Sequence, residues 1–154
     1  RLLGGRYVAN NWHSGGLAWY DLSGEKPVLA NRVVERLNAH MDGLAAFDKK
    51  LLMINLGKYV LLEPNQSGPS REWKRYSVGE WIGGVPSVDG TIVALSHRSG
   101  LVVRLYDFSN PEAARPIPNR RWKFPDVPGT VAFWRGRVVI PLSYQGLLLE
   151  KALP

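Results

Sequence analysis

The side chains with the widest chemical range in this chain are its three histidines, His13, His40 and His97. They stand in the short polar stretches Trp12-His13-Ser14-Gly15-Gly16, His40-Met41-Asp42 and Ser96-His97-Arg98-Ser99-Gly100. Asp42, Glu80 and Asp126 occupy comparable stretches. Imidazoles and carboxylates brought together supply either the ligands of a divalent metal or a general acid and base. Trp81 and Tyr144 add an apolar body with a polar tip, suited to gripping a ligand. The candidate ligand-binding set is therefore His13, His40, Asp42, Glu80, Trp81, His97, Asp126 and Tyr144, with Asn55 beside it. A divalent metal would use His13, His40 and His97. No other cofactor is expected, because the sequence has no P-loop, no Gly-x-Gly-x-x-Gly after a strand, no His-Glu-x-x-His and no Gly-x-Ser-x-Gly. With no cysteine, disulfides, zinc thiolates and a thiol nucleophile are excluded.

Whether these residues meet depends on the elements that carry them, and those elements repeat. Four segments run from a Gly through an apolar stretch to an acid: Gly16 to Asp21, Gly57 to Glu63, Gly100 to Asp107 and Gly146 to Glu150. The acids recur at intervals of 42, 44 and 43 residues. A second apolar run precedes each Gly turn, at Arg6 to Trp12, Lys50 to Asn55, Thr91 to Ser96 and Arg137 to Leu142, so each pair reads as a β-hairpin. A third lies upstream at Gly43 to Phe47, Gly83 to Val88 and Gly129 to Trp134. A fourth, more polar, follows the acid at Asn31 to Asn38, Arg71 to Val78 and Asn119 to Phe124. No window has helical periodicity. Four strands per forty-odd residues is the unit of a β-propeller blade.

The fold class is thus all-β, a β-propeller segment of about 3.5 four-stranded antiparallel blades spanning 1–38, 39–79, 80–125 and 126–154. The last blade lacks its outer strand, which propellers commonly borrow from the N-terminal strand of the same protein. The expectation is a C-terminal arc of a larger ring, whose missing N-terminal blades are its first partner. With Arg1 at the start, any signal peptide is expected to have been removed or to lie outside this sequence. No apolar run approaches the eighteen or so residues of a membrane-spanning helix, so no membrane span is expected.

Around the third acid, Leu101 to Pro116 reads Leu-Val-Val-Arg-Leu-Tyr-Asp-Phe-Ser-Asn-Pro-Glu-Ala-Ala-Arg-Pro, and Tyr20 to Pro27 repeats its Asp and Ser. These words resemble the LVIVD repeat of bacterial propellers. The resemblance implies a propeller fold and an extracytoplasmic, secreted or periplasmic location, and little about chemistry. Independently of it, Asp107 stands where its carboxylate can accept backbone N–H groups of the next turn, with Pro111 presetting φ. All four acids are read as structural turn caps.

On propeller geometry, the loops holding His13 and His97 share a face with the interblade connections holding His40, Asp42, Glu80, Trp81 and Asp126. That face is the candidate site. Twenty Lys and Arg against thirteen Asp and Glu give a net charge of +7, which raises the prospect of a polyanionic partner. Arg32, Arg36, Arg71, Lys74, Arg75, Arg120, Arg121 and Lys123, however, fall on or beside outer strands, where cations discourage edge-to-edge pairing. Nucleic acid is accordingly not the expected partner. Trp73 and Trp122, at matching sites in outer strands, are assigned to packing between blades. The leading reading is a recognition module that binds a protein or glycan through one loop face. The alternatives are a metal-dependent hydrolase or oxidase at the channel mouth, and polyanion binding through the basic outer strands.

Overall fold

The computed structural model describes residues 2–3, 6–11, 16–34, 41–63, 66, 72–97 and 101–152. Their strands form four antiparallel sheets. The first holds β1 (Leu2–Leu3), β2 (Arg6–Asn11), β3 (Gly16–Asp21) and β4 (Val28–Val34). The second holds β5 (Met41–Phe47), β6 (Lys50–Asn55), β7 (Lys58–Leu62) and β8 (Arg75–Tyr76). The third holds β9 (Ile82–Asp89), β10 (Ile92–His97), β11 (Val102–Asp107) and β12 (Arg115–Lys123). The fourth holds β13 (Ala132–Trp134), β14 (Arg137–Pro141) and β15 (Leu147–Ala152). Within each sheet, neighbours in sequence are neighbours in space. Between sheets, β5 packs beside β9 and β9 beside β13. No α-helix occurs among the described residues. This is the architecture of β-propeller blades.

Alternation along the middle strands explains the stacking. On β6, Leu51 and Met53 enter a core shared with Leu17 and Trp19 of the first sheet, while Leu52 and Ile54 enter one shared with Val93, Leu95 and Tyr106 of the third. On β10 the division repeats, since Val93 and Leu95 face the second sheet and Ala94 faces Val138 and Ile140 of the fourth. Successive side chains of a strand point to opposite faces, so a strand apolar at every position must be covered on both. Complete burial of one Leu or Ile contributes about 1.5–3 kcal/mol, and these strands supply such residues to two interfaces at once.

Trp73 lies in the core between the first and second sheets, and Trp122 packs against the core between the third and fourth. The Trp122 indole N–H also donates to Glu150 at 2.8 Å. Asp21 and Asp107 cap their turns, each accepting an N–H at 2.8 Å, from Ser23 and Ser109 respectively. The other two acids depart from that expectation. Glu63 pairs with Lys50 at 2.7 Å, and Glu150 takes Trp122 and, at 3.8 Å, Arg120. A glutamate is one methylene longer than an aspartate and reaches across the sheet instead of back to its own turn.

Strand limits shift where edges are involved. β12 begins at Arg115, four residues before its expected start, and includes Pro116 and Pro118. An outer strand has one unpaired side and can tolerate residues without an N–H there. β8 shrinks to Arg75–Tyr76 and β13 to Ala132–Trp134. The turn after β11 is fastened to the second sheet by Tyr59, whose hydroxyl donates to Pro111 O at 2.9 Å and accepts from Ala114 N at 3.3 Å.

At Gly43 the inner strands of the second and third sheets touch backbone to backbone. A Cβ on Gly43 of β5 would overlap the Gly84 carbonyl oxygen and Val85 Cα of β9. Gly43→Ala is expected to cost about 1–3 kcal/mol in urea denaturation, as overpacking a core does. Gly24→Ala, whose Cβ meets nothing nearer than Lys26 O at 4.0 Å, should stay within about 0.5 kcal/mol. Equal effects would mean that the two inner strands are not in contact.

Candidate functional site

Two irregularities in the inner strands open a cleft. The pairing of β5 with β6 slips between Met41↔Asn55 and Gly43↔Ile54, leaving Asp42 outside the register. The pairing of β9 with β10 slips between Ala94↔Ser87 and Ser96↔Gly83, where Gly84 has φ +73°. Such bulges bend a strand and re-aim its side chains. Between them and the Val127–Thr130 segment lies a cleft of about 330 Å3, near the lower end of the roughly 300–1,000 Å3 of small-molecule sites. Val85, Leu101, Val102, Val127 and Pro128 give it apolar walls, and Asp42, Ser96, His97 and Thr130 give it polar ones.

His97 ends β10 and is 4% exposed. Its Nε2 lies 3.1 Å from the Tyr106 hydroxyl. Glu80 Oε2 lies 3.2 Å from Nδ1, but out of line for a hydrogen bond, so Nδ1 has an ionic neighbour and no hydrogen-bond partner. Arg104 Nη1 reaches the other Glu80 oxygen at 3.4 Å, and its guanidinium lies 5.7 Å from the Tyr106 ring centre. Burial holds the His97 pKa below its ordinary value; Glu80 opposes this, and Arg104 and Arg121 reinforce it. Burial also pushes Tyr106 up to about 12. At neutral pH the phenol therefore keeps its proton, and the neutral imidazole shares one hydrogen bond with it through Nε2. Asp42 Oδ2 is likewise buried and without a hydrogen-bond partner. The cleft is thus lined by Asp42 and His97, each with one buried polar atom that has no hydrogen-bond partner in the protein.

Of the residues singled out from sequence, Asp42 and His97 line this cleft, and Glu80 touches His97 from the loop before β9. Trp81 follows Glu80 and rests on Gly57 instead. Asp126 accepts the Val127 N–H at 2.7 Å, just ahead of the segment that forms one wall. Tyr144 stands exposed on the 3-10 turn Ser143–Gln145 and is not part of the lining. Asn55 is buried and accepts from Arg75 Nε at 2.8 Å, a structural contact. His13 and His40 lie outside the described residues. Among the described residues, no three His, Asp or Glu side chains are grouped so as to hold a metal ion. Of the basic outer-strand residues, Lys74 pairs with Glu112 at 2.7 Å, and Arg120 with Glu150.

Tyr106 and Arg104 are site residues that the sequence did not single out. A signal existed: Arg104 interrupts the apolar run Leu101 to Tyr106 at a position that shares a strand face with Tyr106. A charge placed there needs a buried or bridging partner.

No family model matches the sequence, and no curated protein does. Among solved structures, the chain is similar to glutaminyl cyclase of Myxococcus xanthus, with 16% identity, a TM-score of 0.54 and coverage of 90% of this chain and 64% of that one. A functionally unknown protein from Desulfotomaculum acetoxidans DSM 771 aligns at 10% identity and a TM-score of 0.48, over 90% of this chain and 61% of that one. The chain therefore spans about 64% of the length of the cyclase. At this identity the likeness shows a shared propeller fold alone. No helix among the described residues is long and apolar enough to cross a membrane.

A histidine buried as the neutral base binds more protons after unfolding, so the stability it protects is present above pH 6.5 or so and is lost as pH falls below that value. The unfolding midpoint of the native chain should fall between about pH 7.5 and 5.5, and should fall less in His97→Gln. Parallel curves for the two proteins would show that His97 is not held neutral by burial.

Proposed function

We propose that the chain is part of a β-propeller recognition module. Its loop face, bearing Asp42, Glu80, Trp81 and His97, binds a protein or glycan partner, with one group of that partner inserted in the cleft. The words around Asp21 and Asp107 support placing it among propellers of the LVIVD type. The observation that carries the function is a cleft lined by Asp42 and His97, each of which keeps one buried polar atom without a hydrogen-bond partner. A buried polar group without a partner costs about 1–3 kcal/mol, and a ligand that supplies both partners recovers that cost. The matching group both donates and accepts, as a primary amide or a pair of hydroxyls does. Butyramide, an amide with a short apolar tail, should shift the His97 ring-proton signals in an NMR titration. Asp42→Ala should weaken that response about tenfold, equivalent to one hydrogen bond of roughly 1.4 kcal/mol. Absence of a response at His97, or a response indifferent to Asp42, would contradict the proposal.

Catalysis in the same cleft is the second reading, favoured by a neutral His97 poised between Glu80 and Tyr106, where it can take up a proton. The similar Myxococcus xanthus protein carries the name glutaminyl cyclase, so cyclisation of a glutaminyl peptide is the turnover to assay. Turnover abolished by His97→Gln would replace recognition with catalysis. The recognition function predicts none above background.

Further blades of the same fold are the proposed structural partner. Trp134, Leu147 and Leu149 form an apolar outward face on the fourth sheet that no other sheet of the described residues covers. The second and third sheets are covered on both faces. The isolated chain should self-associate in sedimentation, and the double variant Leu147→Lys with Leu149→Lys should not. A native chain that stays monomeric at high concentration would remove this support.

A further inference from the structure

We propose that Arg104, Arg121 and Lys123 form a binding site for a tetrahedral oxyanion, the phosphoryl or sulfate-ester group of a ligand, on the face of the third sheet that is turned towards the second. The inference is independent of what the cleft binds.

Strand parity brings the three cations to one face. On β11, Val103 and Leu105 enter the core shared with the fourth sheet, while Tyr106 enters the one shared with the second. Arg104 therefore shares the face of Tyr106, and its guanidinium lies 5.7 Å from that ring. On β12, Arg120 and Trp122 both reach Glu150 of the fourth sheet, so Arg121 and Lys123 turn to the opposite face. The register then sets Arg121 directly against Arg104, and Lys123 against Val102, two residues further along the same face. Side chains opposed in this way start from Cβ atoms about 4.5–5.5 Å apart. Arg121 and Lys123 are exposed, and Arg104 keeps 26% of its side chain in contact with solvent.

Like charges directly opposite one another across a strand pair destabilise it, so the arrangement calls for an anion. Glu80 supplies one carboxylate, 3.4 Å from Arg104. Two of the three charges stay unmatched, because neither Arg121 nor Lys123 has an ion pair among the described residues. Arg104 Nε is in addition buried and without a hydrogen-bond partner. Protection of an open sheet edge explains a lone cation on β12. It does not explain Arg104, since β11 is paired on both sides. Two guanidiniums with an ammonium beside them present planar forks and a point charge, a combination that meets the several oxygens of a phosphoryl or sulfate group. A carboxylate has only two oxygens and would leave part of the set unmatched.

The test titrates inorganic phosphate, sulfate and acetate in turn into the full chain at constant ionic strength, with backbone amide signals followed by NMR. Phosphate or sulfate should shift the Arg121 and Lys123 signals saturably, and acetate should bind about tenfold more weakly. Arg121→Gln should weaken binding about tenfold, as loss of a hydrogen bond to a charged group does, and Lys123→Gln should weaken it as well. Arg115→Gln removes an equal charge from the far end of β12. It should change binding less than about twofold, because exposed charges further apart than the Debye length are largely screened. Glu80→Gln should strengthen binding. Burial is the main reason that His97 titrates below its ordinary value, and Arg104 and Arg121 add to it. A bound dianion offsets those two, so sulfate should raise the pH at which His97 titrates. Unchanged far-UV circular dichroism of each variant separates these effects from misfolding. A response to phosphate alone or to sulfate alone supports the site and identifies the group. The inference is overturned if neither anion gives a saturable shift, if acetate binds as tightly, or if Arg121→Gln and Arg115→Gln weaken binding equally. Failure of the butyramide response at His97 would contradict the recognition function and leave this site standing.

Discussion

The contact on which the rest depends is the meeting of two inner strands at Gly43 and Gly84–Val85, where the absence of a side chain lets β5 and β9 approach backbone to backbone. Stacked sheets pack about 10 Å apart when side chains separate them. Here the second and third sheets come together more closely at their inner strands, and the bulky residues Phe47, Tyr59, Tyr106 and Phe108 fill the space between them. Stacking blades around an axis requires that difference between inner and outer spacing. The same contact lies beside the bulge at Asp42 and the irregular stretch around Gly84. The cleft is a consequence of how the blades converge.

Convergence also accounts for the electrostatics. His97 is carried into a dry environment by Val93 and Leu95, its neighbours on the same face of β10, and the free energy of burying those two side chains holds it there. Once buried, the imidazole is neutral and shares a hydrogen bond with Tyr106, while Glu80 and Arg104 balance each other nearby. The polar site is therefore stabilised by apolar packing around it.

Much of the fold was legible because it is written in local rules. Intervals of 42 to 44 residues between acids report the length of one blade, and the two aspartates among them do cap the turns that follow. Trp73 and Trp122 could be assigned to packing between blades because large aromatic residues on outer strands have nowhere else to bury. The site was legible only in part. Asp42, Glu80 and His97 were marked by residue type, but what joins two of them to one cleft is a pair of register slips, and register depends on the neighbouring sheet as much as on the strand's own sequence. Tyr106 was hidden inside an apolar run that it also serves as a core residue. Pro116 and Pro118 argued for a loop until the edge position of β12 made them admissible.

The most direct measurement is a proton–proton Overhauser contact between the α-protons of Gly43 and Val85 in the folded chain. Each lies on the inner strand of a different sheet, and neither sheet's own pairing brings them together. A strong cross-peak between them is the predicted result, as the glycine has no side chain to hold the strands apart. If the cross-peak is absent while the cross-strand contacts within each sheet are present, the sheets form without converging, and the cleft between Asp42 and His97 does not exist as described.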